Sequence, residues 1–102
     1  MTISSPSITD LTPLSNLTSV TEDVTIYANS SLNTLSGLEN IDTIGGNVII
    51  GTPVLLSYIP EPGNPNLTDL SGLEGLRYIG GDLEIINNDN LQTINGLSLI
   101  HI

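Results

Sequence analysis

Two pairs of close carboxylates, Glu22 with Asp23 and Asp82 with Glu84, could do acid–base chemistry on a sugar. Glu22 and Asp23 stand at a turn where the chain enters a short strand-like segment, a place where acids are ordinarily solvated. Asn87-Asn88-Asp89-Asn90 is rich in the oxygen ligands that hard cations such as calcium prefer. It lacks the regular acid spacing and the glycine of a calcium loop, so a turn held by its own side chains is the plainer reading. Nucleophilic catalysis needs a base beside a serine or threonine, and the single histidine, His101, stands alone near the end of the chain. We therefore expect no catalytic residue, no cofactor and no metal site, and read the chain as something other than an enzyme. Arg77 and Tyr78 are adjacent and could form a small recognition patch, or equally an isolated surface pair.

Composition narrows the partners. The 102 residues carry eleven acids against one base, a net charge of −10. Nucleic acid and anionic membrane surfaces both require a basic patch, and none is present. The absence of cysteine removes disulfides and thiolate metal sites. No apolar run approaches the roughly 20 residues of a membrane-spanning helix, and no basic start followed by an apolar stretch resembles a signal peptide.

What positions every residue above is a repeat. Thr68–Leu91 aligns without a gap on Thr9–Leu32, both 24 residues long. The intervening Asn33–Leu67 has 35 residues, and its 11 extra ones fit only between Ile50 and Asn64. A fourth unit begins at Gln92 with QTINGL. Stacking the units gives seven aliphatic columns, those headed by Leu11, Leu14, Leu17, Val20, Val24, Ile26 and Leu32, and all 21 positions are Leu, Ile or Val. The first four columns are three residues apart, compatible at best with short helical turns. Val24-Thr25-Ile26, Val48-Ile49-Ile50 and Leu83-Glu84-Ile85 alternate inward, outward, inward, which is the signature of a strand. Gly45-Gly46 and Gly80-Gly81 precede two of them and break any helix. Thr21-Glu22 holds that place in the first unit, so the turn does not strictly require a positive φ.

A repeat of this length with one strand, tight turns and no long helix predicts a mainly β, right-handed parallel β-helix or leucine-rich-repeat-like solenoid. It would have about 24 residues per coil, with about three full coils and partial coils at both ends. The three strands should be successive neighbours in one parallel sheet. Asn29, Asn64 and Asn88 share one offset, three before a column leucine, and should form a side-chain ladder that satisfies buried turn amides. Three sequons, at Asn16, Asn29 and Asn66, are the number chance provides in so Asn-, Ser- and Thr-rich a chain. The insertion 52–62, TPVLLSYIPEP, should leave the stack as a loop. A run this apolar is expected to fold back over the side of the stack; in the alternative, its Tyr58, Ile59 and Glu61 are candidate ligand contacts with Arg77 and Tyr78.

The pattern L-S-G-L-x-x-[LI]-x-x-I-G-G-x-[LV]-x-I-x-x-N-x-x-L resembles the receptor L-domain family, over Ile8 to Leu97. That resemblance implies a leucine-rich-repeat-like solenoid of the kind found in growth-factor receptors and microbial surface proteins. The flanking disulfides and capping helix of the receptor versions are missing here, and their ligand residues lie outside the repeated framework.

Both ends read as interrupted. Met1-Thr2-Ile3 alternates like Leu83-Glu84-Ile85, and Ile8 falls in the column of Leu91, as though the chain begins inside a strand of a preceding coil. Leu97–Ile102, LSLIHI, is what CTG-TCT-CTT-ATA-CAC-ATC encodes, a string that resembles a transposon-end sequencing adapter. We accordingly expect residues 1–96 to be a fragment of a longer array and 97–102 to be adapter read-through. The function expected is a non-catalytic binding module, extracellular or on a cell surface, recognising a protein or glycan ligand, with further coils of its parent chain as neighbours and no membrane insertion of this segment. A structural spacer or adhesin stalk is the alternative, and a fragment of a β-helical polysaccharide-active enzyme a weaker one.

Overall fold

A computed structural model describes residues 1–51 and 63–92. The spacing of three between the early columns comes from consecutive tight turns. Leu14 N donates to Leu11 O at 2.8 Å and Leu17 N to Leu14 O at 3.0 Å. The same pair of bonds recurs from Leu38 to Leu35 and Ile41 to Leu38, and from Leu73 to Leu70 and Leu76 to Leu73. Each i+3 to i bond returns the chain to the same side, so every third residue points inward. Among the described residues this becomes a 3₁₀ turn only in the first unit, at Thr12–Leu14.

Strands follow the turns. Among the described residues they are β1 (Thr2–Ile3), β2 (Ser19–Val20), β3 (Val24–Ile26), β4 (Thr43–Ile44), β5 (Val48–Gly51), β6 (Tyr78–Ile79) and β7 (Leu83–Ile86). They form two sheets, in the orders β1-β3-β5-β7 and β2-β4-β6. Every pairing is parallel. Thr25 stands opposite Ile49, and Ile49 opposite Glu84, so the strands expected to be neighbours are neighbours. The 35-residue unit keeps the register because Val48 still meets Leu83. The mainly β, parallel character expected from the repeat is thus present.

The second sheet was not expected. Its strands are two residues long, with one inward residue each in Ile44 and Ile79, so no alternation announces them. They form because the chain running from the last turn toward the glycine pair is extended and lies beside its counterpart in the next unit, with Gly45 N donating to Val20 O and Gly80 N to Ile44 O, both at 2.8 Å.

All 21 column positions lie in the core or pack against its edge. Those of the second unit, such as Leu35, Ile41 and Ile50, are fully buried. Leu14, Leu17 and Val20 in the first unit, and Leu83, Ile85 and Leu91 in the third, are only partly buried. Each fully buried aliphatic contributes roughly 1.5–3 kcal/mol, so the middle unit anchors the fold.

The glycine pairs have a steric cause. None of Gly45, Gly46, Gly80 and Gly81 has a positive φ, whereas Gly37 and Gly72 do, at 118° and 113°. A Cβ on Gly45 would lie 2.5 Å from Thr21 O, and one on Gly80 would overlap the Gly45 carbonyl. The pair is small because two units approach closely there, not because the turn is left-handed. Among the described residues no helix is long and apolar enough to cross a membrane.

Candidate functional site

Four rows of side chains run across the units, one of them buried. The buried row begins where β3 and its counterparts end. Ala28 and Asn87 take left-handed φ values of 56° and 59°, and this turns the chain so that the next residue points inward. That next residue is Asn29 in the first unit and Asn88 in the third. Asn29 and Asn64 are 0% exposed, and Asn88 is half-buried. Asn29 Nδ2 donates to Asn64 Oδ1 at 2.9 Å, and Asn64 Nδ2 to Asn88 Oδ1 at 2.9 Å. Each amide also holds the backbone of the preceding unit: Asn29 Nδ2 reaches Ile3 O at 3.0 Å, Asn64 Nδ2 reaches Ile26 O at 3.0 Å, and Asn88 Nδ2 reaches Ile50 O at 2.9 Å. The row occupies every amide within the fold and leaves none for a ligand.

A second row of this kind escaped sequence reasoning. Asn47 N donates to Asp23 Oδ1, and Asp82 N to Asn47 Oδ1, both at 2.7 Å. The signal was an acceptor side chain one residue before each strand, and it was hidden because Asp and Asn alternate there. It accounts for one of the acids that could have been catalytic. The Asp23 carboxylate receives a backbone N–H, and Asp82 sits at the matching place. Glu84 lies on the outward row with Thr25 and Ile49. Among the described residues no group of three or more His, Asp or Glu side chains gathers as a metal site would require. Within Asn87–Asn90, Asn88 belongs to the buried row and Asn90 Nδ2 donates to Pro65 O at 2.7 Å.

The exposed row lies on β2, β4 and β6. Ser19 stands opposite Thr43, and Thr43 opposite Tyr78. Ile79 points inward, so its neighbour Tyr78 points outward and is 52% exposed. Arg77, the only arginine or lysine in the chain, precedes it and is also exposed. Both are fixed from beneath by one carbonyl: Arg77 N donates to Asp42 O at 2.9 Å and Tyr78 N at 3.3 Å. Asp42 Oδ1 in turn accepts from Thr43 Oγ1 at 3.0 Å. The result is a cation, an aromatic ring, a carboxylate and a hydroxyl at adjacent and paired positions anchored by the backbone. Such a set can stack on an apolar face and hydrogen-bond hydroxyls or amides, but it holds no activated nucleophile.

Tyr58, Ile59 and Glu61, with the whole insertion 52–62, lie outside the described residues, as do His101 and the segment 97–102. Of the three sequons, Asn29 is in the buried row, Asn66 Nδ2 donates to Ser30 O at 2.6 Å, and Asn16 is exposed. An apolar hollow of about 230 Å³ opens beside the first unit, between Ile3, Ile8, Leu11, Pro13 and Leu14. Asp10 is its one acid, and its Oδ1 accepts from Thr12 N at 3.0 Å. The chain matches no protein-family model, no curated protein and no solved structure.

Proposed function

We propose that this chain is a leucine-rich-repeat-like solenoid, a right-handed parallel β-helix, and that it serves as a non-catalytic binding module outside the cell or on its surface. The ligand is a protein or a glycan, and the patch at Arg77 and Tyr78 is where it binds. The observation that carries this reading is the exposed tyrosine beside the chain's one arginine, both held by the Asp42 carbonyl on a row aligned across three units. An aromatic kept half in water on a rigid sheet is a common anchor of recognition surfaces. The chain's other outward row, Thr25, Ile49 and Glu84, has no such pairing of ring and cation. The extracellular placement rests on the repeat motif and on a surface built from Asn, Ser and Thr. The in-register stacking also suits a spacer or adhesin stalk, in which the same units supply length alone.

The test is an array of neutral and acidic glycans together with a panel of immobilised peptides, probed with the whole chain and with Arg77→Ala and Tyr78→Ala. Binding to one class that falls at least about tenfold in both variants, with an unchanged melting curve, supports the module, since a hot-spot truncation costs on the order of 1.4 kcal/mol or more. Binding that ignores both substitutions removes the patch, and binding to nothing favours the spacer.

A further inference from the structure

Three repeat positions hold glycine in the second and third units and a side chain in the first. They are Pro13, Gly37, Gly72; Thr21, Gly45, Gly80; and Glu22, Gly46, Gly81. In every case the hydrogen that replaces Cβ is aimed at the unit before. A Cβ on Gly37 would meet the Leu11 carbonyl, on Gly72 that of Leu35, on Gly45 that of Thr21 and on Gly80 that of Gly45, all closer than 3.0 Å. On Gly46 and Gly81 it would meet the Asp23 and Asn47 side-chain oxygens, again closer than 3.0 Å. Four of these six neighbours are backbone carbonyls, which cannot swing aside. The other two are held by backbone N–H groups at 2.7 Å.

A unit covered at these three places by the unit before it therefore has to be glycine there, and the first unit is not glycine at any of them. Proline fixes φ near −65°, far from the 118° and 113° of Gly37 and Gly72. The first unit accordingly makes a 3₁₀ turn there, which the turns at Gly37 and Gly72 do not. Thr21 and Glu22 are exposed. The buried asparagine row stops at the same end. Ser5 occupies the place corresponding to Asn29, and its N donates to Asn29 Oδ1 at 2.7 Å. Its hydroxyl turns to Ser7 Oγ at 3.3 Å instead of continuing the row.

We propose that the unit 9–32 is the last complete layer of the stack, with β1 beyond it along one sheet, and that Pro13, Thr21 and Glu22 close the rest of its face against any further repeat layer. The layer excluded is one from chain ahead of Met1 or one from the far end of a second copy. The inference rests on the solenoid reading above. It departs from the expectation that the chain begins inside a preceding coil of a longer array, and it stands on the identities of residues 13, 21 and 22. Chain ahead of Met1 is free to exist, but it does not lie over those three residues as a stacked coil. Two consequences follow for the binding module. Any added layer would have to join at the other end, where the sequence again places a glycine, Gly96, at the position of Gly37 and Gly72. Its copies also do not polymerise head to tail, although β1 presents a sheet edge that would otherwise invite a heterologous contact.

The experiment adds a copy of Thr68–Asp82 directly before Met1, which completes a coil in register because Met1 stands where Leu83 follows Asp82. It is made in the whole chain and in the variant Pro13→Gly/Thr21→Gly/Glu22→Gly, and amide hydrogen exchange is read residue by residue. Protection at Val48 and Ile50 reports the host stack, and protection in the added segment reports whether it has docked. The expected result is a segment that exchanges freely on the native background and slows by about 100-fold or more on the triple-glycine background. Where the triple variant loses protection at Val48, Thr21→Gly/Glu22→Gly alone is used, with the same expectation at a smaller slowing. Protection of the added segment on both backgrounds, or on neither, overturns the assignment. Loss of Val48 protection in the native chain itself overturns the solenoid reading instead.

Discussion

Replacing Asn64 by alanine should cost this fold more than any exposed asparagine can. Asn64 is 0% exposed and sits at the middle of the buried row. The substitution removes three hydrogen bonds at once: those from Asn64 Nδ2 to Ile26 O and to Asn88 Oδ1, and that from Asn29 Nδ2 to Asn64 Oδ1. Each intramolecular bond is worth about 1 kcal/mol net, and a buried partner left unsatisfied costs about 1–3 kcal/mol. Asn29 Nδ2 retains Ile3 O, and Asn88 Oδ1 retains Asn64 N, which softens the loss. The Ile26 carbonyl loses its amide partner deep in the stack. The sum is about 3–5 kcal/mol, against about 5–15 kcal/mol for the whole stability of a typical domain. Asn66→Ala is the control, because it removes a single exposed bond to Ser30 O and should cost about 0.5–1 kcal/mol. Urea melts with a shared m-value give both numbers. A double variant, Asn29→Ala/Asn64→Ala, should cost less than the sum of its singles, because the bond between the two is counted in each. If Asn64→Ala falls within about 1 kcal/mol of Asn66→Ala, the row does not hold the units together and the reasoning fails.

Two further substitutions probe backbone geometry. Gly80→Ala places a Cβ against the Gly45 carbonyl and should destabilise by about 2–3 kcal/mol, whereas Glu84→Ala, outward on β7, should stay within about 0.5 kcal/mol in the same urea melts. Ala28→Asn relieves a left-handed alanine at φ 56°, at the position where the third unit already has asparagine at φ 59°, and should raise the melting temperature by a few degrees, corresponding to about 0.5–1 kcal/mol.

Residues differ in how openly they declared their roles. The column aliphatics were legible because each is inward in every unit, and the offset of Asn29, Asn64 and Asn88 was legible because a buried amide recurring at one place has few other uses. Strand pairing followed from the repeat, since Val24, Val48 and Leu83 can occupy one column only if their strands stack. Ser19–Val20 and its counterparts stayed hidden because a two-residue strand has no period. Asp23 looked like a solvated turn acid, and only the Asn47 N–H it accepts reveals its task, which Asn47 repeats by accepting from Asp82 N. The first unit's Thr21-Glu22 was visible as a departure, but its cause lies in the distance between units, which no single sequence position records. Tyr78 and Arg77 could be singled out as the lone aromatic–cation pair, yet their exposure depends on β6, a strand that periodicity could not show.

The central claim is that successive repeat units lie on one another in strict register, and crosslinking tests it most directly. The chain has no cysteine, so two introduced ones can pair only with each other. Parallel partners stand about 4.8 Å apart, within the roughly 4.4–6.8 Å that a disulfide spans between Cα atoms, while residues two strands apart are separated by nearly twice that. Thr25→Cys/Ile49→Cys and Ile49→Cys/Glu84→Cys join direct partners, and Thr25→Cys/Glu84→Cys skips a strand. The account predicts that the first two variants oxidise readily to intramolecular disulfides under mild conditions and that the third remains reduced. Oxidation of the third as fast as the first two would contradict it.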